Sequence, residues 1–293
     1  MGMTHLITFS DVSIVPKFSS VPSPDSVSLA TNRVGLPYTT IPVMATNVVS
    51  ASECRTAKDF IRYGGQAYLS KIGSSIEESV SSFENATLPG FDLRSPAVSI
   101  GLGYLELERA EALRDAGATT FIVDSNNGAT MTTVNQVTQL RQILGKDFGI
   151  IVGNFSTGNS IEEFLERVVG PVDGFKIGNI CGPLGENEWV NLPQLSALID
   201  CRHAIHSRGL IMIADGNINS VSDFCKSIAA GAHMATIDVK SSLSLPCLEK
   251  GLRGSLSMVG AYNIEEYHRL AEFVVVSQAS SLEAGAHNSG KKL

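Results

Sequence analysis

The sequence predicts a single (β/α)8 barrel (a TIM barrel), in which eight parallel strands alternate with helices. Eight short apolar runs recur along the chain, spaced by roughly 23 to 36 residues, which leaves room for one crossover helix after each. The runs are almost continuously apolar, as expected for parallel strands that are buried on both faces. The predicted strands are 41–45, 66–69, 97–100, 120–124, 150–154, 174–177, 210–215 and 234–238.

The segments between these runs carry helix signals. Residues 104–116 and 222–230 have apolar positions at helical spacing, and each segment is followed by the Gly-Ala pair that is typical of a helix end. Residues 159–163 have the pattern of a capping box before a helix. A last helix is predicted over 263–273, with Glu266 in the capping-box position.

The rest of the chain is assigned to the ends of this barrel. Residues 7–20 are predicted to form a short extended cap over the N-terminal end of the barrel, and the polar tail at 283–293 is predicted to be mobile. With the barrel at about 41–258, residues 1–293 form one domain. A doubly wound sheet is the alternative fold, but no G-x-G-x-x-G fingerprint follows the first strand.

Composition excludes several classes of protein. The chain is 43% hydrophobic and has 22 basic against 29 acidic side chains, so it is neither disordered nor basic enough for broad binding to nucleic acid or anionic membranes. No signal peptide or membrane span is visible, and the five cysteines are scattered without a C-x-x-C pair. A soluble protein of a reducing compartment, the cytoplasm, is the expectation.

Candidate functional residues lie where the predicted strands end, since this fold builds its active site at the C-terminal ends of its strands. Asp124, Cys181 and Asp215 are the strongest candidates, although Asp and Gly are also ordinary turn residues. His203 and His206 are spaced as a metal pair on a helix would be, but no third ligand is visible in the sequence. A solvated helix face is the preferred interpretation of that pair.

Motifs that run in order from about residue 7 to about residue 258 resemble the IMP dehydrogenase/GMP reductase family, without its regulatory CBS pair. They include Thr8-Phe9-Ser10-Asp11-Val12, Pro42-Val43-Met44-Ala45-Thr46-Asn47, Asp124-Ser125-Asn126-Asn127-Gly128, Gly153-Asn154-Phe155-Ser156-Thr157, Lys176-Ile177-Gly178, Ala214-Asp215-Gly216 and Arg253-Gly254-Ser255.

The resemblance implies an oxidoreductase of purine metabolism, similar to GMP reductase, that removes the 2-amino group of a purine through a cysteine adduct. It implies NADPH as cofactor, with NAD as the alternative, and a homotetramer. Cys181 is then the nucleophile that attacks purine C2. The implied substrate-binding residues are Asn179, Asp215, Gly216, Asp238, Lys240, Ser255 and Met258, and the implied cofactor-binding residues are Lys71, Asp124, Asn126 and Asn154.

Two segments depart from the family pattern. Its catalytic loop reads G-I-G-P-G-S-x-C-T-T-R, whereas here Gly178 is separated from Cys181 by two residues and Gly182-Pro183-Leu184 follows. A glycine-rich phosphate element after the last strand is replaced by Asp238-Val239, and a carboxylate repels a phosphate unless Lys240 compensates. We therefore hypothesise a nucleoside, free base or modified purine as substrate. Alternatives are oxidation of the IMP dehydrogenase type, an inactive purine-binding paralogue, or a barrel enzyme of other chemistry.

Overall fold

The computed structural model describes residues 6–48, 50–70, 75–88, 90, 95–178, 192–277 and 280. Within these residues eight parallel strands close into a barrel, because the first barrel strand pairs with the last one. The barrel strands are β2 (Val43–Val48), β3 (Gln66–Leu69), β4 (Ala97–Ile100), β5 (Thr120–Asp124), β6 (Gly149–Phe155), β7 (Gly174–Ile177), β8 (Ile211–Ala214) and β9 (Met234–Asp238). The predicted barrel is confirmed, and the doubly wound alternative is wrong.

Helices follow each barrel strand and cover the outside of the barrel. They are α1 (Ala51–Tyr63), α2 (Ile76–Ala86), α3 (Tyr104–Asp115), α4 (Met131–Leu144), α5 (Gly158–Arg167), α6 (Gln194–His206), α7 (Val221–Ala229), α8 (Leu245–Val259) and α9 (Ile264–Leu270). None of these helices has the combination of length and apolar character that a membrane span requires.

The N-terminus of α5 differs from the prediction. Thr157, and not Asn159, is the N-cap residue, and its hydroxyl oxygen accepts a hydrogen bond from the backbone N–H of Ser160. The helix therefore begins at Gly158, before the residues that were predicted to form the capping box. Thr157 lies two residues before Asn159. Its hydroxyl caps the N–H groups of the first helical turn, as the predicted cap was expected to do.

Successive residues of each strand point to opposite faces, which sorts the core into two layers. Side chains on the outer face pack against the helices in one large apolar cluster. A smaller apolar cluster fills the inside of the barrel, towards the N-terminal ends of the strands. Its members are Leu36, Met44, Tyr68, Ala97, Ile122, Ile151, Ile211, Ile213 and Met234.

Residues 31–39 close the N-terminal end of the barrel, which corrects the predicted position of the cap. Thr31 and Thr39 pair across this segment, and Leu36 inserts into the inner apolar cluster. A Cβ atom at Gly149, the first residue of β6, would lie 2.2 Å from the carbonyl oxygen of Gly35, so the segment touches the strand starts directly. The barrel floor is thus formed later in the chain than residues 7–20.

Residues 7–20 instead include a short strand on the outside of the barrel. This strand, β1 (Val12–Ile14), packs against α7 and pairs antiparallel with β10 (Phe273–Val275). The predicted helix at 263–273 ends early, at Leu270, because the chain turns extended at Ala271 and enters β10. The predicted mobile tail at 283–293 lies outside the described residues.

Candidate active site

A layer of polar side chains lies directly above the inner apolar cluster, at the C-terminal rim of the barrel. It follows from strand alternation: Ile122 and Ile213 point inwards, so the residues two positions later, Asp124 and Asp215, point inwards as well. Thr236 follows Met234 of β9 in the same way. The sequence therefore changes from apolar to polar along the inward face of three strands.

Lys176 of β7 is the centre of this layer. Its Nζ lies 2.5 Å from Oδ2 of Asp215 and 2.9 Å from Oδ1 of Asp124, and its side chain is only 2% exposed. Burial by itself lowers the pKa of Lys176, but the two carboxylates outweigh burial and hold this pKa well above its ordinary value. Lys176 is therefore a permanent ammonium that holds two carboxylates together.

The other carboxylate oxygens also receive hydrogen bonds. The Tyr68 hydroxyl donates to Oδ2 of Asp124 at 3.1 Å, and the Thr236 hydroxyl donates to Oδ1 of Asp215 at 2.7 Å. Burial raises the pKa of Tyr68, so the phenol stays protonated and keeps donating. Both carboxylates are thus fixed in orientation by neutral and charged donors from three different strands, β3, β7 and β9.

Glycine at two positions makes room for this arrangement. A Cβ atom on Gly153 of β6 would lie 2.7 Å from Cβ of Lys176, so a side chain there would displace the lysine stem. Gly178 follows β7 with a φ of +110°, and a Cβ atom there would lie 2.5 Å from the carbonyl oxygen of Asp215. Only glycine adopts such a conformation at such a close approach without strain.

The chemistry of the cluster suits acceptance of hydrogen bonds from hydroxyl groups better than it suits proton transfer. The ammonium and the phenol keep their protons, while each carboxylate oxygen has more lone pairs than protein donors. The Asp124 side chain is 26% exposed and the Asp215 side chain 8%, so Asp124 is the more accessible of the two. A ligand with a pair of vicinal hydroxyls, such as a ribose, suits these carboxylates, because they accept hydrogen bonds and donate none.

The loop after β9 uses its own backbone donors. The N–H of Lys240 donates to Oδ1 of Asp238 at 2.7 Å, and the N–H of Ser241 donates to the carbonyl oxygen of Asp238 at 2.9 Å. The Lys240 ammonium lies 3.1 Å from Oε1 of Glu53, on α1. Asp238 and Lys240 are thus both at the rim. The N–H groups and the ammonium of this loop, however, donate to protein acceptors and do not converge on one point where a phosphate could bind.

The other predicted residues near the rim differ in accessibility. Asn126 is exposed in the loop after β5, and Gly216 follows Asp215 with a positive φ of +99°. Asn154 is buried at 5% exposure. Its N–H donates to the carbonyl oxygen of Ser125 at 2.8 Å, and its carbonyl oxygen accepts from the N–H of Gly128 at 2.8 Å. The backbone of Asn154 therefore holds the loop that carries Asn126.

Ser255 and Met258 are not brought to this site, which corrects their predicted role. Both lie in the second half of α8, which begins just after the β9 loop, so Ser255 is roughly 15 Å along the helix from its start. The Ser255 hydroxyl lies 2.5 Å from the Tyr267 hydroxyl of α9, and Met258 is 62% exposed on the helix surface. A short Gly-Ser motif resembles a loop element in sequence, but helix-forming neighbours place it in α8.

Cys181, Asn179 and Lys71, which the sequence also assigned to the site, lie outside the described residues. The site also contains three residues that the sequence did not assign to it, Lys176, Tyr68 and Thr236. A charged residue inside an otherwise apolar strand was the available signal for Lys176, because a buried lysine requires anionic partners.

Comparison with known proteins finds similarity to GMP reductases and to inosine-5'-monophosphate dehydrogenases. The chain is 27% identical to GMP reductase of Leishmania donovani over 274 residues, which cover 71% of this chain and 55% of that protein. It is 26% identical to inosine-5'-monophosphate dehydrogenase of Cryptosporidium parvum, over 79% of this chain and 66% of that protein. Inosine-5'-monophosphate dehydrogenase of Rhizobium tropici is 32% identical over 48% of this chain.

These relatives are longer than the chain, which spans between about half and two thirds of the first two. The family described as "IMP dehydrogenase / GMP reductase domain" matches residues 6–239, which include β1 to β9 and the whole polar layer at the rim. The chain therefore belongs to the IMP dehydrogenase/GMP reductase family.

Proposed function

We propose that the protein is a nicotinamide-dependent oxidoreductase that acts on a purine at C2, in the reductive direction and with NADPH. The observation that carries the proposal is the Asp124–Lys176–Asp215 cluster at the rim of a barrel of this family. Two oriented carboxylates on one ammonium suit two sugar hydroxyl pairs, one from a purine nucleoside and one from a cofactor. NAD remains the alternative cofactor.

Each residue has a role in this proposal. Asp215 accepts hydrogen bonds from the substrate ribose, while Asp124 and Asn126 face the nicotinamide ribose of the cofactor. Lys71 contributes to cofactor binding. The Cys181 thiolate adds to C2 of the purine, and the 2-amino group leaves as ammonia after protonation. A reduced nicotinamide, when bound, would supply the hydride that adds to C2 so that the Cys181 thiolate can leave. A covalent adduct divides a difficult substitution into easier steps.

The substrate that we favour has no 5'-phosphate held at the β9 loop. In this loop the N–H groups of Val239, Lys240, Ser241 and Leu243 all donate to protein oxygens. Phosphate cradles depend on backbone N–H groups that point at the ligand, whereas these four point at protein oxygens. A nucleoside, or a purine whose phosphate is bound by another segment, fits this loop better than GMP held in the usual way.

The first experiment measures turnover. Purified protein is mixed with NADPH or NAD and a panel of guanosine, GMP, inosine, IMP and guanine, and absorbance at 340 nm is followed. Loss of absorbance with NADPH and a 2-aminopurine supports the proposal, and growth of absorbance with NAD and a hypoxanthine compound supports the dehydrogenase direction instead. Cys181→Ala should abolish turnover, whereas Cys247→Ala, which changes an exposed cysteine on α8, should not.

A second candidate is a purine-binding protein without turnover. The observation that favours it is the short sequence around Cys181, where Gly182-Pro183-Leu184 stands in place of the T-T-R of the family pattern. Thermal shift with the same purines separates the two candidates. Stabilisation by a purine that Asp215→Asn removes, without absorbance change for any cofactor, would support the binding protein and overturn the enzyme.

A further inference from the structure

A second cavity lies at the opposite end of the barrel from the rim site. It has a volume of about 400 Å³ and is formed by the end of α6, the start of β9, α9 and the segment before β2. Three of the chain's six histidines, His206, His233 and His268, meet in its wall, with ring nitrogens within 4.8 Å of one another. No local sequence pattern indicates this cluster, because the three residues come from α6, from the position just before β9 and from α9.

The hydrogen bonds of these histidines determine which nitrogens carry protons. Nδ1 of His233 accepts from the N–H of Met212 at 3.0 Å, so the proton of this neutral ring lies on Nε2. Nε2 of His206 and of His268 lie 2.8 Å and 3.0 Å from the carbonyl oxygens of Gly231 and Ala232, to which they donate. Nδ1 is the unprotonated nitrogen of those two rings.

His233 consequently has one N–H donor without an acceptor among the described residues. The residue is 3% exposed, and it contributes to the cavity wall. Because this N–H group belongs to a cavity-lining residue, it is available to a ligand that presents an oxygen acceptor.

Charge around the cavity favours an anion over a cation. The charged lining groups are Arg33 before β2, Arg202 on α6, and Glu265 and Arg269 on α9. Glu265 pairs with Arg33 at 3.2 Å, which leaves two guanidinium groups in excess. Burial, with the neighbouring histidines and arginines, lowers the pKa of His233 to about 2 and that of His268 to about 3, so these rings are neutral. A divalent metal ion would be repelled by the same arginines.

We propose that this cavity binds the phosphoryl group of a small phosphorylated molecule, at a site separate from the rim. Arginine guanidinium groups bind phosphoryl oxygens with paired hydrogen bonds, and the His233 N–H adds a fixed donor. Unprotonated Nδ1 atoms of His206 and His268 accept from a protonated phosphoryl oxygen, or take up a proton when the anion binds. The volume is in the range of pockets for small organic ligands, so the ligand is a phosphate monoester rather than a bare ion.

Isothermal titration calorimetry with ribose 5-phosphate and with inorganic phosphate tests this proposal. We expect ribose 5-phosphate to bind more tightly than phosphate, and the double variant Arg33→Gln/Arg269→Gln to weaken binding at least ten-fold. Arg208→Gln is the control, because Arg208, two residues after the end of α6, pairs with Glu162 and does not line the cavity. Asp215→Asn, at the rim, should leave binding unchanged, and a loss with Asp215→Asn would place the ligand at the rim and overturn the proposal.

Two further arms complete the test. Sulfate does not titrate near neutral pH, so tighter sulfate binding at pH 6 than at pH 8 reports proton uptake by the histidines. Stabilisation by Zn²⁺ that a chelator reverses, with no response to phosphate or sulfate, would make the cluster a metal site and overturn the proposal. Absence of any binding, with circular dichroism showing folded variants, would leave the histidines a purely structural cluster and overturn it as well.

Discussion

At the scale of single residues, Lys176 is the residue on which the polar layer at the rim depends. It brings together Asp124 and Asp215, two carboxylates that would repel each other if they shared a buried layer alone. The sequence predicted both aspartates, because each ends a recognisable strand. It did not predict the lysine between them, since a strand pattern shows that a residue is buried but not which charges it meets. Ser255 and Met258 were misplaced for the related reason that a short motif does not fix its own secondary structure.

Replacing Lys176 with methionine tests this central role. Lys176→Met leaves two carboxylates without their ammonium in a buried layer, and removing one partner of a buried ion pair costs about 3–5 kcal/mol. Lys240→Met is the matched control, because the Lys240 side chain is 73% exposed and an exposed ion pair contributes about 1 kcal/mol at most. Urea unfolding at pH 7 measures both losses. Equal losses for the two variants would contradict the role of Lys176.

At the scale of whole elements, helix α8 shows how two glycines in one helix can differ in purpose. Gly251 faces α7, and a Cβ atom there would lie 2.2 Å from Cγ1 of Val221. Gly254 has no atom within 4 Å of the position of such a Cβ. The sequence does not predict this difference, because it shows two glycines that both weaken a helix. Only the packing of α8 on α7 distinguishes the two positions.

Alanine at these two positions should therefore have effects of opposite sign. Gly254→Ala should stabilise the protein by about 0.5–1 kcal/mol, because alanine loses less backbone freedom on folding than glycine does. Gly251→Ala should destabilise it, since overpacking costs about 1–3 kcal/mol. Thermal unfolding of both variants checks the pair, and stabilisation by Gly251→Ala would show that α7 and α8 can move apart without cost.

The loop after β9 is the element where sequence and structure together bear on the substrate. Its Asp238 carboxylate is exposed at the strand end, so it acts on an approaching phosphate mainly through charge. Asp238→Asn keeps an acceptor for the Lys240 N–H and removes that charge, and it should tighten GMP binding about five-fold while leaving guanosine unchanged. Asp147→Asn, two residues before β6, is the control. Titration calorimetry measures the affinities. The same change in affinity for GMP and for guanosine would show that Asp238 does not discriminate against a phosphate.

At the scale of the whole molecule, the barrel divides into two chemically different ends. Patterning predicted the barrel itself, because eight strand–helix units repeat along the chain and each buries both strand faces. It also predicted that polar residues gather at the C-terminal rim. It could not predict the N-terminal end, where His233 and His268 are far apart in the chain and meet His206 only when the barrel closes. Closure creates contacts that no local window of the sequence contains.

The N-terminal end should make the stability of the molecule depend on pH. Both buried histidines have pKa values far below the ordinary value of 6.5, at about 2 for His233 and about 3 for His268. Below pH 6.5 these two histidines therefore bind protons in the unfolded chain but stay unprotonated in the folded state. Stability is full above that pH and falls as pH decreases, by about 1.4 kcal/mol per pH unit for each such histidine.

Substitution isolates the contribution of these histidines from that of the carboxylates. His268→Gln removes one of the two side chains that bind a proton only in the unfolded chain. The slope of unfolding free energy against pH between pH 6 and pH 4 should therefore decrease by up to about 1.4 kcal/mol per pH unit. His203→Gln, on the exposed face of α6, should leave the slope as it is in the unsubstituted protein. Urea unfolding in buffers free of phosphate and sulfate gives both slopes. An unchanged slope in His268→Gln would mean that the ring already carries a proton in the folded state, and the neutral cluster that defines the N-terminal cavity would have to be abandoned.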